Sequence, residues 1–365
     1  NWDGSEAWLI TRYHDVRAAF SDPRLSSDPS KPGYPEKNAA FKAVIGQDRN
    51  LRTMDPPEHG MHKRMIVRDF TVKRVEDLRP RIQTRVDELI DEMLAKGPPS
   101  DLVTDLAFPV PTMVICELLG VPYADRDFFA GRAYTCFSSE ASPEVAAVAG
   151  QELYDYTDAL LTAKDKDPQN DLLSRLVVEQ LRPGTLSRKD VVELARFILI
   201  AGHETTANTI AVSMLALFQN PDQLADLRGD PSLIENAVDE LLRYTSTPHL
   251  GRRRVATADI EIGGQIIRAG EGVIIANNVA DRDDSVMHDA GRLDLRRPNA
   301  RANLAFGYGP HQCLGQLLSR VELQLVFATL CRRMPTLKLA VPFAEIQFKE
   351  HDTVYGLRSL PVSWA

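Results

Sequence analysis

The sequence predicts a mainly α fold of the α+β type, in which long helices outnumber a small β region. Three stretches carry this. The first runs from Arg74 to Lys96 and places Val75, Leu78, Ile82, Val86, Leu89, Ile90 and Met93 three and four residues apart. That spacing gives a helix with one apolar face, and Gly97-Pro98-Pro99 ends it. The second covers 191–219, roughly 40 Å of helix at 1.5 Å per residue. Its apolar residues lie on nearly every side, as expected of a helix enclosed by others, and Asn220-Pro221 supplies the stop. In the third, between Asp259 and Asn277, the pattern shortens to Ile260-Glu-Ile262, Gln265-Ile-Ile267 and Val273-Ile-Ile275, separated by Gly263-Gly264 and Gly270-Glu-Gly272. Such runs are strands and tight turns. The stretch from Thr353 to Trp364 also reads as extended.

The 365 residues contain no linker, repeat or low-complexity tract, so one domain spanning 1–365 is expected. Ala7 to Thr11 reads as a strand with no element before it, which places an N-terminal part of the domain upstream of residue 1. With 44% hydrophobic and 26% charged residues the chain has the composition of a globular protein. A formal net charge of −8 gives no support to nucleic-acid binding. The four cysteines, Cys116, Cys136, Cys313 and Cys331, are far apart and form no CxxC, which argues against a disulfide framework and suits a cytoplasmic location. The most apolar region, 191–218, carries Arg196, His203 and Glu204, which a membrane span would hardly tolerate.

One thiol stands in an unusual setting. Phe306-Gly-Tyr-Gly-Pro-His-Gln-Cys313-Leu-Gly315 packs three glycines around a cysteine just before a predicted helix. Glycines permit close approach and unusual backbone angles. Amide donors and the positive end of a helix favour a thiolate, the form in which sulfur binds a metal. This stretch resembles the haem-binding loop of the cytochrome P450 family. Three further matches follow in the family's order and together span essentially the whole chain.

Ala201-Gly-His-Glu204-Thr205-Thr206, inside the long central helix, is similar to the family's distal acid–alcohol motif. A carboxylate in an apolar helix needs a reason. The resemblance implies that Thr205 steadies dioxygen and that Glu204 helps bring protons to it. Glu240-Leu-Leu-Arg243 is an ExxR whose spacing puts both charges on one helix face. The resemblance adds Arg292 as the third member of a buried charge cluster bracing the thiolate loop. Asp55-Pro-Pro-Glu-His59 reads as a helix start with prolines in the first turn. In the family this helix offers a histidine and, four residues on, an arginine to a haem propionate. Lys63 stands at that second position, and lysine lacks the bidentate fork, so either Lys63 or Arg64 takes the role. Arg254 and His311 match the other propionate contacts, and Phe306 the ring that shields the sulfur.

The resemblance therefore implies a helix-rich P450 fold with haem b between the central helix and the loop of Cys313, its metal ligand. It implies a soluble, actinobacterial-like haem-thiolate monooxygenase that uses O2 to hydroxylate or epoxidise a small organic substrate, as in secondary metabolism. The expected protein is a monomer, with electrons from a ferredoxin, through its reductase, or from a flavodoxin, and with no membrane or nucleic-acid partner. Phe197, Ile200, Ala201, Leu250 and Val354 match substrate-lining positions, and Phe197, Ala201 and Thr205 share one face of the helix. The irregular segment from Lys31 to Arg52 matches the substrate-facing loop. Between His59 and Arg85 eight Lys or Arg face three Asp or Glu, and Arg64, Arg68 and Arg74 are candidates for docking the electron donor. Two alternatives stand beside this: a P450-type nitric oxide reductase, which departs from the acid–alcohol motif, and a non-catalytic haem-binding protein, which would have lost the cysteine or the distal pair. Peroxide-driven members often replace the acid and alcohol, which this chain keeps.

Overall fold

The central helix is longer than its apolar pattern, running Arg188–Gln219 in a computed structural model that describes residues 3–39, 42, 49–138 and 140–365. Its first turn is polar, so hydrophobic spacing could not mark it. A capping box sets the start: Ser187 Oγ accepts from the Asp190 amide at 3.2 Å, and the Ser187 amide donates to Asp190 Oδ2 at 3.1 Å. Helices Pro109–Leu119, Pro143–Lys166 and Ile234–Thr245 pack around it. Gly202 makes the first of these crossings possible, because a Cβ there would stand 2.5 Å from the Ile115 side chain.

The helix expected over 74–96 is Val72–Lys96, and it buries Val75, Ile82, Val86, Leu89, Ile90 and Met93. Burial of such side chains stabilises by about 1.5–3 kcal/mol each. It packs on helix Gln316–Arg333, which follows the cysteine loop. Helix Glu58–Ile66 starts one residue after Pro57, so both prolines precede it and do not form its first turn.

The strands form three small sheets. Gly272–Ile275 lies between Ala7–Ile10, to which it is parallel, and Arg252–Ala256, to which it is antiparallel, with Leu25–Ser26 on the outer edge. Ile260–Ile262 and Gln265–Ile267 make a separate hairpin. Pro361–Ser363 pairs with Ser100–Asp101 and with Lys338–Leu339. Only this last part of 353–364 is strand; residues 351–354 bend instead and bring Val354 inward. The helices share one large core, while Tyr13, Val16, Val273, Ile275 and Met287 belong to a second core beside the four-stranded sheet. Within the segment from Lys31 to Arg52, residues 40, 41 and 43–48 lie outside the described residues.

The buried charge cluster has a different third member from the one expected. Glu240 Oε2 accepts from Arg243 Nε at 2.7 Å and from Arg297 Nε at 3.0 Å. Arg292 is exposed and gives only its backbone carbonyl, to Arg243 at 3.1 Å and to Arg297 at 3.0 Å. The chain turns between 289 and 297, so the guanidinium that reaches Glu240 is the one five residues later.

Candidate active site

A large cavity lies between the central helix and the cysteine loop. Gly307 and Gly309, with φ of +71° and +70°, turn the loop so that the Cys313 amide donates to Phe306 O at 2.9 Å. Cys313 is exposed only in the sense that it faces this cavity. Surrounding protein pushes its thiol up, while the Gly315 amide and the charges of Arg252, Arg320 and Lys63 pull it back toward thiolate. Arg320 also stacks over the Phe306 ring, its guanidinium carbon 4.6 Å from the centroid. Gly315 lines the cavity, and a Cβ there would meet nothing within 4 Å. Its missing side chain leaves room for something the cavity holds, not for neighbouring protein.

From the opposite side Phe197, Ile200, Ala201, Glu204 and Thr205 line the same space. Thr205 Oγ1 donates back to Ala201 O at 3.1 Å, and Thr209 Oγ1 donates to Thr205 O at 2.8 Å. Glu204 is buried, and its Oε2 has no hydrogen-bond partner among the described residues. Burial pushes its carboxyl up to about 7, opposed by Lys349 and reinforced by Asp352. Asn208 ties these groups together, since its Nδ2 donates to Glu204 O at 2.9 Å and its Oδ1 lies 3.5 Å from Lys349 Nζ. The neighbouring His203 faces away from the cavity, with ring contacts to Phe108 and Phe129.

The raised carboxyl makes stability depend on pH. Below about 4.5, its ordinary value, Glu204 is neutral in folded and unfolded chains alike; above about 7 the folded chain must hold a buried anion. Glu204→Gln is therefore expected to leave stability unchanged at acid pH and to raise it by up to about 3 kcal/mol above pH 7, the gain growing across that window. Denaturant titrations of both proteins across this range check it; a pH-independent difference would refute the burial argument.

At the cavity's other end the His59 and His311 rings lie 4.1 Å apart, with both pKa values pushed down by burial, to about 4 and about 3. His311 is thus neutral, and its contacts define its tautomer. Nδ1 donates to Leu51 O at 3.2 Å, and Nε2 accepts from Ser27 Oγ at 3.1 Å. Lys63 lines the cavity and donates to Pro310 O at 2.6 Å, tying its helix to the cysteine loop. Arg64 is exposed and does not line the cavity, because the next residue on a helix is rotated about 100° away. Arg254 lines the cavity beside them.

Val354 and Phe306 are at the cavity as expected, but Leu250 is not. The chain bends before Gly251, whose φ is +70°, so that Thr247 and Pro248 take that part of the wall. Several lining residues carried no distinct signal in the sequence. Lys37, Arg52 and Arg252 add positive charge, and Glu322 adds a buried acid with an unpartnered Oε2. Strand Arg252–Ala256, not anticipated from the sequence, sends Arg252 and Arg254 the same way by alternation.

The family model for "Cytochrome P450" matches residues 144–231 and 226–338. The chain is 46% identical over 363 residues to cytochrome P450-SU2 of Streptomyces griseolus, covering 100% of this chain and 89% of that protein. It is 47% identical over 363 residues to pentalenic acid synthase of Streptomyces avermitilis, covering 100% of this chain and 90% of that protein. The crystal structure of mycinamicin VIII C21 methyl hydroxylase from Micromonospora griseorubida, bound to mycinamicin VIII, superposes with a TM-score of 0.93 at 42% identity, covering 100% of this chain and 92% of that one. The chain belongs to the cytochrome P450 family. It is a P450 monooxygenase of the type found in actinobacteria, and the family implies a haem-iron cofactor, redox partners and a small substrate. Among the described residues no helix is long and apolar enough to cross a membrane.

Proposed function

We propose that the protein hydroxylates or epoxidises a small organic substrate, with haem b held between Cys313 and the central helix. The observation that carries this is the meeting of Cys313, Glu204 and Thr205 at one cavity. The cavity fits the group: a thiol faces it, Gly315 leaves clearance, and cations stand ready for two propionates. Bound there, a thiolate-ligated haem supplies dioxygen activation and O–O cleavage. Cys313 Sγ is the metal ligand, shielded by Phe306, and Arg254, His59, Lys63 and His311 form the propionate corner.

Glu204 Oε2 holds the proton that leaves for the reacting centre. A carboxyl near 7 is poised to give and regain a proton at neutral pH. Thr205 Oγ1, on the next residue and facing the cavity, hands that proton inward. Phe197, Ile200, Ala201 and Val354 orient the substrate and keep water out. This pair also argues against the nitric oxide reductase alternative.

The chain forms one P450 domain over 1–365 and works in the cytoplasm as a monomer; that its cysteines form no disulfide among the described residues suits a reducing compartment. Ferredoxin, supplied by its reductase, or a flavodoxin delivers electrons. Exposed Met61, Val67 and Val72 alternate with Arg64, Lys73 and Arg74, a mixture of apolar and basic groups that fits an acidic donor. Arg68 is already paired with Glu179, an exposed pair that a partner could displace at little cost. Relatives named for pentalenic acid and mycinamicin support a substrate from secondary metabolism.

Candidate substrates can be chosen by the spectral shift that accompanies loss of water from the iron. Turnover with ferredoxin, reductase and isotopically labelled dioxygen should place one labelled oxygen atom in the product. Label arriving from water, or nitric oxide consumed with NADH alone, would refute the proposal.

A further inference from the structure

The buried carboxyl of Glu204 has two charged neighbours on a segment far from it in the chain. Among the described residues, Lys349 and Asp352 are the charged groups that act on it, the first lowering and the second raising its proton affinity. His203, the adjacent titratable residue on the central helix, is turned toward Phe108 and Phe129, and burial keeps it neutral, its pKa pushed down to about 4.

Several contacts fix where Lys349 sits. Its amide donates to Gly356 O at 2.8 Å, which closes the segment 349–356 into a turn. Gly356 in turn presses on the central helix: a Cβ there would stand 1.7 Å from Asn208 Oδ1, so no larger residue fits. That same Oδ1 lies 3.5 Å from Lys349 Nζ, while Asn208 Nδ2 donates to Glu204 O at 2.9 Å. The ammonium also faces the Tyr134 ring, on helix Arg126–Phe137, at 5.4 Å from the centroid.

Thr353 and Val354 of this segment line the cavity, but Lys349 does not. Its effect on the reaction therefore passes through Glu204 and not through substrate. Lys349 is half-buried and Glu204 buried, and opposite charges so placed attract more strongly than they would in open water.

We propose that Lys349 is a positioning residue for the oxidation: bracketed by Asn208, its ammonium balances the carboxylate that Glu204 becomes each time a proton leaves Oε2. This rests on the reading of Glu204 as proton donor and adds what makes that donation repeatable. The proton departs from Oε2 toward Thr205 Oγ1, the ammonium keeps its own protons, and a proton from solvent restores the acid. Without the cation, burial would make Glu204 a weaker acid, because an unbalanced anion in that place is costly. Asp352 acts in the opposite sense and keeps the carboxyl from remaining ionised.

The test follows the Glu204 carboxyl by its infrared C=O band in the haem-loaded enzyme, identified by its loss in Glu204→Gln and titrated across about pH 5–9. Lys349→Gln keeps an N–H for Asn208 Oδ1 but removes the charge, so the midpoint should rise by about one pH unit or more. Lys349→Arg should hold the wild-type midpoint, and Asp352→Asn should lower it. Only protonated Glu204 can donate. Turnover of a substrate chosen by its spectral shift should therefore decline at correspondingly higher pH in Lys349→Gln, with a lower plateau on the acid side and an unchanged KM. An unmoved midpoint in Lys349→Gln would overturn the proposal, and so would a moved midpoint with wild-type turnover at every pH. Failure of the monooxygenase reading would show separately, as a ferrous CO complex without the long-wavelength band of thiolate ligation. The infrared titration would still report on Lys349 in that event.

Discussion

Cys313→Ser is expected to abolish the long-wavelength band of the reduced CO complex and to lower turnover by at least about 10³-fold, some 4 kcal/mol of barrier. The side chain occupies the loop between Phe306 and the start of helix Gln316–Arg333, facing the cavity. Serine nearly matches cysteine in size, so the turns at Gly307 and Gly309 and the Cys313 amide bond to Phe306 O should persist. What is lost is electronic. A hydroxyl has a far higher pKa than a thiol, and the Gly315 amide with Arg252, Arg320 and Lys63 cannot draw it to the anion as they draw sulfur. Circular dichroism should show the fold unchanged while the CO spectrum changes. An unaltered CO spectrum would show that Cys313 is not the ligand.

The second large effect concerns stability. Arg243→Met is expected to destabilise the protein by about 3–5 kcal/mol, the usual consequence of removing one partner from a buried ion pair. Arg243 and Glu240 both have 0% side-chain exposure. The guanidinium makes two bonds to the carboxylate, at 2.7 and 2.8 Å, and also donates to the carbonyls of Asp281, Ala290 and Arg292 at 2.9, 2.8 and 3.1 Å. Methionine would strand the carbonyls of Asp281 and Ala290, while Arg292 O keeps its bond from Arg297. It would also leave Glu240 with only Arg297 and the Asp294 amide, each at 3.0 Å. Arg243→Lys keeps the charge but has no fork, so it should recover less than half of the loss. Denaturant midpoints with unchanged slopes measure both. A lysine variant as stable as the wild type would show that charge, not geometry, holds the cluster.

These two sites differ in how far the sequence exposes them. The cysteine loop is local: ten consecutive residues carry its glycines and its thiol, the helix follows directly at Gln316, and the structure keeps them in that arrangement. The ExxR pair is also local, because spacing on a helix places Glu240 and Arg243 together. Its third member is not. Arg297 reaches Glu240 because the irregular chain from 289 onward turns before the guanidinium arrives, and no periodicity describes that turn.

The cavity wall shows the same division. Phe197, Ala201 and Thr205 share a helix face by spacing alone, and that face does line the cavity. Lys63 and Arg64 are adjacent, and only packing against the cysteine loop selects Lys63. Leu250 and Arg252 bracket Gly251, whose positive φ rotates the chain so that Arg252 reaches the cavity and Leu250 does not.

The sequence by itself determined the long helices, the thiol loop, the acid–alcohol pair and so the family, because each depends on residues close together in the chain. The tertiary structure decided which side chains face one another across distant elements: Arg297 on Glu240, Lys63 on the cysteine loop, Arg252 among other cations. The reason is physical. Local spacing fixes the face of an element on which a residue lies, while the partner that face meets is set by long-range packing and by turns of irregular backbone.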